Sequence, residues 1–286
     1  MRAIGVNTWI WASPLTDADL IELAPRIREF GADMVELPLE QPDDWSPATV
    51  RKVLLDHDLA AASVAAVMPP GRDLVATDAA ALGRTRDYLR RCVDAAAEVG
   101  APVVAGPMYA AVGRTWRTTP AERARCLDEL RDGLAPIAEH ARSNGVVLAV
   151  EPLNRYETSL LNTVAQTAEA IAELPADAVG IALDTYHQNI EEHDLVTAVR
   201  TAGGRIAHVQ VCANDRGTPG ADHLDWPGFL TALQETGHQG PLCIESFTAH
   251  NASIAVAASI WRPLAATQDA IARDGIAFLR ATLAAL

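Results

Sequence analysis

Residues 146–157 read VVLAVEPLNRYE, an apolar run that stops at the carboxylate of Glu151. Residues 179–189, VGIALDTYHQN, repeat this arrangement, because an apolar run ends at Asp184 and an imidazole, His187, follows three residues later. A short continuous apolar run of this kind predicts a strand buried on both faces, as in parallel sheets covered by helices. In α/β proteins the chemistry lies at the carboxyl ends of such strands. The two stretches therefore predict a parallel α/β fold with a site at these strand ends.

The rest of the chain alternates short apolar runs with longer amphipathic stretches. The predicted strands are residues 3–9, 34–39, 60–68, 102–107, 146–150, 179–184, 206–212 and 242–247. The predicted helices are residues 17–30, 47–57, 78–99, 120–143, 163–174, 194–202, 226–236 and 267–283. Strict alternation implies parallel pairing through right-handed crossovers. Eight such units, without a G-x-G-x-x-G turn after the first strand, favour an α/β fold closed into a (β/α)8 TIM barrel over a doubly wound open sheet.

Length and composition narrow the class of protein. The chain has 286 residues and no Gly, Ser or Pro linker, so residues 1–286 are interpreted as a single barrel domain. No apolar stretch approaches the ~18 residues of a membrane span and no signal-peptide pattern is present, so we expect a cytoplasmic protein without membrane contact. The net charge of −14 argues against nucleic acid as a partner. The four cysteines lack the spacing of a zinc or disulfide framework.

Closure of the barrel would bring four polar side chains, from strands five to eight, to one face. Each directly follows apolar strand residues, and they are Glu151, Asp184, Gln210 and Glu245. Three crowded carboxylates would repel one another at neutral pH, and a divalent cation removes that cost. Oxygen ligands suit Mg²⁺ or Mn²⁺ better than zinc, and a nearby imidazole favours Mn²⁺, with Mg²⁺ or Co²⁺ as alternatives. Any one of these acids could instead be a buried group paired with an arginine.

The segment 184–192, DTYHQNIEE, resembles the sixth-strand signature of the ketose 3-epimerases. This is the D-tagatose and D-allulose 3-epimerase group within the xylose isomerase-like barrels. Further segments agree in the same order, namely EPLNRYET at 151–158, NDRGTPG at 214–220, IESF at 244–247 and WRPL at 261–264. The resemblance covers essentially the whole chain. Its motifs are more specific to the superfamily than to one substrate.

The resemblance implies a role for each matching residue. Glu151 and Glu245 would be cation ligands and also the acid/base pair, while Asp184 would be a ligand only. The residues implied to hold the oxygens at the carbonyl end of the substrate are Glu157, His187 and Arg216. Relatives of this kind are commonly dimers or tetramers, so the resemblance also implies a homodimer or homotetramer that acts on a small sugar.

One position departs from the family pattern. The seventh-strand ligand of ketose 3-epimerases is usually a histidine, whereas the matching residue here is Gln210, as in the hydroxypyruvate isomerase branch. His208 lies two residues earlier, on the same strand face but one layer deeper. We predict Gln210 as the ligand and keep His208 as the alternative. The substitution leaves open which substrate the protein binds, but not whether it binds a metal ion.

The residue types also indicate the reaction. A proton beside a carbonyl is weakly acidic, and its removal requires stabilisation of the resulting cis-enediolate, which a bound metal ion provides. Two carboxylates on opposite faces of that carbon can remove and return a proton in turn. Glu151 and Glu245 follow strands that lie three steps apart around the barrel and suit this arrangement. The sequence therefore predicts a metal-dependent sugar epimerase, an isomerase that inverts C3 of a free ketose.

Other functions stay open at this point. Hydroxypyruvate isomerase and inosose dehydratase use the same barrel, and an aldose-ketose isomerase needs only a single base. A DNA repair endonuclease would require more histidine ligands and a basic face, and a non-catalytic sugar binder would not require two carboxylates. Trp116, after the fourth strand, either stacks on the sugar or packs at the barrel mouth. Glu36, an acid inside a predicted strand, must be paired there, either near the metal or in a structural ion pair.

Overall fold

The strands of the protein are β1 Ile4–Asn7, β2 Met34–Leu39, β3 Ala60–Ala66, β4 Val103–Gly106, β5 Val147–Val150, β6 Val179–Asp184, β7 Ile206–Val211 and β8 Leu242–Ile244. They come from a computed structural model that describes residues 2–286, with only the backbone of residue 252. Each strand pairs in parallel with the next along the chain, and β8 pairs with β1 to close the barrel. The predicted (β/α)8 barrel is confirmed.

The helices are α1 Asp17–Glu29, α2 Pro47–Asp56, α3 Ala79–Val99, α4 Pro120–Ser143, α5 Val164–Ala170, α6 Thr185–Glu191, α7 Leu195–Ala202, α8 Trp226–Glu235, α9 Ala252–Ala257 and α10 Gln268–Ala284. Side-chain caps determine where several of them begin. Thr16, Thr119 and Thr163 each form a capping box with the third helical residue. Gly100 ends α3 in the left-handed conformation, with φ 79°. Within residues 2–286, no helix is both long and apolar enough to cross a membrane.

Three segments beside the strand ends differ from the predicted pattern. The first strand ends at Asn7, because its side chain accepts a hydrogen bond from the backbone N–H of Trp9 at 2.9 Å and starts a 3₁₀ turn. Asp184 ends β6 and also caps α6, for which no helix was predicted, since its carboxylate accepts from the Tyr186 N–H at 2.8 Å. β8 ends at Ile244, so Glu245 lies just beyond the strand rather than inside it.

The inside of the barrel combines small and polar side chains. Ala105, Ala149 and Ala182 form a small apolar cluster on β4 to β6. Ala182 lies opposite His208 in the β6–β7 pairing, so the small side chain leaves room for the imidazole. Glu36, from β2, is completely buried on the same inner side. The barrel therefore carries a polar layer below the strand ends, in addition to the apolar shell between sheet and helices.

Candidate active site

A cavity of 690 Å³ opens at the carboxyl ends of the strands. This volume lies in the range of about 300–1,000 Å³ that small-molecule sites occupy. The predicted site residues that line it are Glu151, Glu157, His187, Gln210, Arg216 and Glu245. Apolar side chains also line it, among them Trp9, Met68, Pro69, Phe247 and Ile254. The cavity thus combines a charged end, formed by the predicted site residues, with an apolar lining.

Arg216 lies at the centre of the charged end. Its Nη1 donates hydrogen bonds to Asp184 Oδ2 at 2.5 Å and to Glu245 Oε2 at 2.8 Å. Its guanidinium lies 4.1 Å from the centroid of the Tyr186 ring and 5.2 Å from that of Phe247. Stacking and ion pairing together fix the planar group, because a guanidinium offers donors at its edge and a weakly hydrated face. Arg216 therefore links the carboxylates that follow β6 and β8.

His187 is oriented by the loop after β5. Its Nδ1 accepts a hydrogen bond from the backbone N–H of Asn154 at 3.0 Å. This turns Nε2 toward the carboxylates, 3.6 Å from Glu151 Oε1 and 3.7 Å from Asp184 Oδ2, and 2.9 Å from Arg216 Nη2. The side-chain amide of Asn154 also donates to Glu157 Oε1 at 2.7 Å. One asparagine therefore positions two residues predicted to contact the substrate.

The seventh-strand residues point their polar atoms at Glu36. Gln210 Nε2 donates to Glu36 Oε1 at 2.9 Å and to Glu245 Oε1 at 2.6 Å. His208 Nε2 contacts Glu36 Oε2. The two alternatives for the seventh-strand ligand are thus separated in space, since His208 lies against an acid in the deeper layer while Gln210 lines the cavity. Glu36 proves to be both an ion-pair partner and a neighbour of the site.

The charged groups perturb one another strongly. Burial raises the pKa of Glu151 well above its ordinary value, and the charges of Glu245 and Asp184 add to the effect. Burial also raises the pKa of Glu245, although Arg216 opposes the shift. Burial lowers the pKa of His187, and Arg216 lowers it further, so the neutral imidazole is favoured. Buried carboxylates with raised pKa values can hold or release a proton near neutral pH.

The donor set fits a divalent cation. Gln210 Oε1 is buried without a hydrogen-bond partner among the described residues. Within the same part of the chain, no hydrogen bond reaches the Glu151 carboxylate, and His187 Nε2 lies 3.6 Å from its Oε1. Glu151, Asp184 and His187 offer ligand atoms that lie within 4.8 Å of one another. Three carboxylates against one guanidinium leave two negative charges, which a divalent oxygen-liganded ion would balance.

Trp116 lies apart from the other predicted site residues. It is not among the described residues that line the cavity. The guanidinium of Arg114 lies 4.6 Å from its ring centroid, and Ser159 Oγ accepts from its backbone N–H at 3.0 Å. The structure therefore favours the packing interpretation of Trp116, and Trp9 is the tryptophan that faces the cavity.

Sequence reasoning missed three polar residues that support the site. Asn7 and Ser63 both donate to Glu36, at 2.6 Å and 2.5 Å, and Asn154 holds His187 and Glu157. A signal was available for two of them, because Asn7 and Ser63 are isolated polar residues in otherwise apolar strands. Such residues must find buried hydrogen-bond partners. Asn154 lies in a polar loop and gave no comparable signal.

Comparisons with known proteins agree with this geometry. Residues 25–282 match the family described as the xylose isomerase-like TIM barrel. The ketose 3-epimerase of Arthrobacter globiformis is 31% identical over 285 residues, which cover 99% of this chain and 97% of that protein. The 3-dehydro-D-guloside 4-epimerase of Escherichia coli strain K12 is 35% identical over 162 residues, 55% of this chain and 61% of that protein.

A solved structure of L-ribulose 3-epimerase superimposes with a TM-score of 0.91 at 29% identity, covering 100% of this chain and 95% of that one. The family match spans most of the barrel, and the similarity to the Arthrobacter globiformis protein extends over nearly its full length. The chain therefore belongs to the ketose 3-epimerases of the xylose isomerase-like TIM barrel family, which are enzymes of the isomerase class.

Proposed function

We propose that the protein is a metal-dependent epimerase that inverts C3 of a free ketose. The observation that carries this proposal is the placement of Glu151 and Glu245, two buried carboxylates with raised pKa values, in one cavity. They follow β5 and β8, so a small ligand held between them would present a different face to each. A general acid/base pair of this kind inverts a carbon centre without any net redox change.

The proposed cation ligands are Glu151, Asp184, Gln210 and Glu245. We propose Mn²⁺ as the metal, supported by oxygen donors with an imidazole close by. When bound, the ion would act as a Lewis acid that stabilises negative charge on the carbonyl oxygen and the neighbouring hydroxyl of the sugar. Gln210 supplies an amide oxygen that has no other partner among the described residues, which makes it a better candidate than His208, whose Nε2 contacts Glu36.

The remaining charged residues would hold the carbonyl end of the sugar. Arg216 and His187 donate to its oxygens, and Glu157 accepts from a hydroxyl. With the sugar oriented in this way, one glutamate removes the C3 proton and a cis-enediolate forms. The other glutamate then delivers a proton to the opposite face of C3. Raised pKa values suit both tasks, because a carboxyl group with a pKa closer to neutral is a stronger base and can also return a proton.

A second candidate is a 4-epimerase acting on a keto group inside a glycoside. Two observations favour it, namely the 35% identity to the 3-dehydro-D-guloside 4-epimerase and the apolar lining of the 690 Å³ cavity. That lining includes Met68, Pro69 and residues of α9, and it could hold an aglycone or a second ring. The chemistry would be the same, because the C4 proton also lies next to a carbonyl.

Turnover in heavy water tests both candidates. The protein would be chelated, reloaded with Mn²⁺ and offered D-fructose, D-allulose, D-tagatose, L-ribulose, hydroxypyruvate and a 3-keto glucoside. We expect C3 epimers of a free ketose with deuterium at C3, and no exchange in Glu151→Gln or Glu245→Gln. Deuterium at C4 of the glycoside alone would favour the second candidate. Turnover of hydroxypyruvate alone would overturn both.

We also propose a homodimer or homotetramer. Val256, on α9, and Trp261, shortly after it, are 62% and 72% exposed, and exposed apolar side chains that lie near one another can mark an interface. Only part of the apolar segment 254–261 is available for such a contact, since Ile254 and Ile260 pack with Trp9 and Phe247. Light scattering of the wild type and of Trp261→Glu would show whether this surface joins two copies, and a monomeric wild type would refute the proposal.

A further inference from the structure

The carboxylate of Glu36 has a donor for each oxygen although it lies in the barrel interior. Oε1 accepts from Asn7 Nδ2 at 2.6 Å and from Gln210 Nε2 at 2.9 Å. Oε2 accepts from Ser63 Oγ at 2.5 Å and contacts His208 Nε2. Glu36 is therefore a fully buried carboxylate, both oxygens of which accept hydrogen bonds from neighbouring side chains.

This carboxylate determines which way the Gln210 amide points. The Gln210 side chain is only 2% exposed, and its nitrogen donates to Glu36 Oε1 and to Glu245 Oε1. Turning the amide over would place its oxygen against Glu36 Oε1, which is itself an acceptor, and such a contact is repulsive. The observed orientation uses both N–H groups and leaves Oε1 free of any partner among the described residues.

We propose that Glu36 is a positioning residue that holds the Gln210 amide so that its oxygen faces the cation. This rests on the proposed function, in which Gln210 is a ligand. His208 has a matching role, because its contact with Glu36 compensates the buried charge. Outer partners of this kind determine the orientation of a metal ligand. The chain thus uses an acid on β2 to present a glutamine on β7.

Glu36 does not mark a second metal site. Glu36, His208 and Cys243 lie close enough to share an ion. However, the oxygens of Glu36 already accept from three side chains and contact His208. Burial raises the pKa of the Cys243 thiol well above its ordinary value, which disfavours the thiolate there. The cluster is complete without a cation, and its role is to support the layer above.

The substitution Glu36→Gln tests this role. It keeps the size of the side chain, but its amide can donate to Gln210 Oε1 and so permits the reversed orientation. Titration calorimetry with Mn²⁺ should show an affinity about 10- to 100-fold below the wild type. In the exchange variant Glu36→Gln/Gln210→Glu the ligand is a carboxylate with two equivalent oxygens, so orientation no longer matters. The affinity should recover to within about tenfold of the wild type.

Ser63→Ala is the matched control, because it removes a hydrogen bond to Glu36 Oε2 without touching Gln210. It should lower the melting temperature and leave the Mn²⁺ affinity unchanged. Hydrogen exchange of side-chain amides, measured on the wild type loaded with Mg²⁺, avoids any folding defect of the variants. The side-chain N–H groups of Gln210, identified by their loss in Gln210→Ala, should exchange slowly with solvent.

Two outcomes separate this inference from the proposed function. If the wild type binds Mn²⁺ and Glu36→Gln binds it equally well, or if the Gln210 side-chain amide exchanges rapidly, Glu36 is not a positioning residue and the epimerase proposal stands. If the wild type itself does not bind a divalent ion, the proposed metal site is wrong and the inference falls with it.

Discussion

Gln210 Nε2 lies 2.6 Å from Glu245 Oε1. The side chain proposed as a cation ligand therefore also restrains the side chain proposed to move the proton. Gln210→His should separate these two tasks, because an imidazole nitrogen can still bind the ion while one ring cannot donate to both Glu36 and Glu245. We expect Mn²⁺ affinity within about tenfold of the wild type and kcat lower by about tenfold or more. A loss of affinity as large as in Gln210→Ala would contradict this division of roles.

Arg216→Lys should impair catalysis although it keeps the charge. Arg216 Nη1 donates to both Asp184 and Glu245 while the guanidinium stacks on Tyr186. A lysine ammonium is a point charge that cannot reproduce this planar arrangement. Loss of one charge-assisted hydrogen bond, at about 1.5–3 kcal/mol, corresponds to a kcat/KM lower by about 10- to 100-fold. Arg155→Lys is the control, since Arg155 is 61% exposed in its pair with Glu191, and steady-state kinetics should show no change.

The stability of the cation-free protein should fall as pH rises. Burial raises the pKa values of Glu151 and Glu245, so the native state binds these protons more tightly than the unfolded chain. The free energy of unfolding then decreases as pH rises above the ordinary carboxyl pKa toward the raised values. A bound ion replaces the protons, so the gain in Tm from Mn²⁺ should grow as pH rises above the ordinary carboxyl pKa.

The opposite slope applies to Glu36 at acid pH. Its pKa of about 2 lies below the ordinary carboxyl pKa, so its ionised form stabilises the native state fully above the ordinary value. This contribution to stability is lost as pH falls from the ordinary value toward about 2. Thermal scans with chelator and with Mn²⁺ check both trends. In Glu151→Gln, the stability of the chelated protein should change less with pH near neutrality. An unchanged slope in this variant would refute the assignment.

Gly106→Ala should destabilise the barrel next to the cavity. Gly106 has φ 141°, and an added Cβ would come within 2.5 Å of the carbonyl oxygen of Ala66. Both the backbone strain and the contact act against alanine, and together they should cost about 2–4 kcal/mol. Gly83→Ala in α3 is the control, because no described residue outside its own helix turn comes within 4 Å of its added Cβ. Denaturant unfolding should show a stability gain of about 0.5–1 kcal/mol there, and equal losses in both variants would refute the argument.

Ala257→Trp should distinguish the two candidate substrates. Ala257 ends α9 and lines the cavity together with the apolar side chains of Ile254 and Val256. A bulky ring there would fill the space for an aglycone and leave the charged end unchanged. We expect kcat/KM for a 3-keto glycoside to fall by about tenfold or more, with less than about a twofold change for a free ketose. Ala285→Trp is an exposed control outside the cavity, and equal losses on both substrates would contradict the prediction.

Much of this fold is readable in the sequence, because fully buried strands must be apolar. For β2 and β6, the apolar runs predicted the first and last residue of the strand correctly. The ends of β1 and β8 were placed too late, since no local pattern reports the side-chain hydrogen bonds that Asn7 and Glu245 make where these strands end. α6 was missed for a related reason, because Asp184 ends a strand and starts a helix at once.

The candidate site also contains residues that the sequence could place and residues that it could not. Side chains that follow apolar runs, such as Glu151 and Glu245, could be placed at one end of the barrel from topology alone. Their partners could not, since Asn7, Ser63 and Asn154 are defined by contacts between strands and loops far apart in sequence. Trp116 shows the limit of composition, because an aromatic residue after a strand can face the substrate or stack on a neighbouring arginine.

Glu36 lies on β2, yet it is contacted by side chains from β1, β3 and β7. Replacing a histidine at position 210 by glutamine therefore yields an oriented ligand only if Glu36 is present below it. A lineage that acquires the glutamine needs the acid already in place, and one that then loses the acid loses the use of the glutamine. We expect relatives that have glutamine at position 210 to have an acid at position 36, although the two positions lie 174 residues apart in the chain.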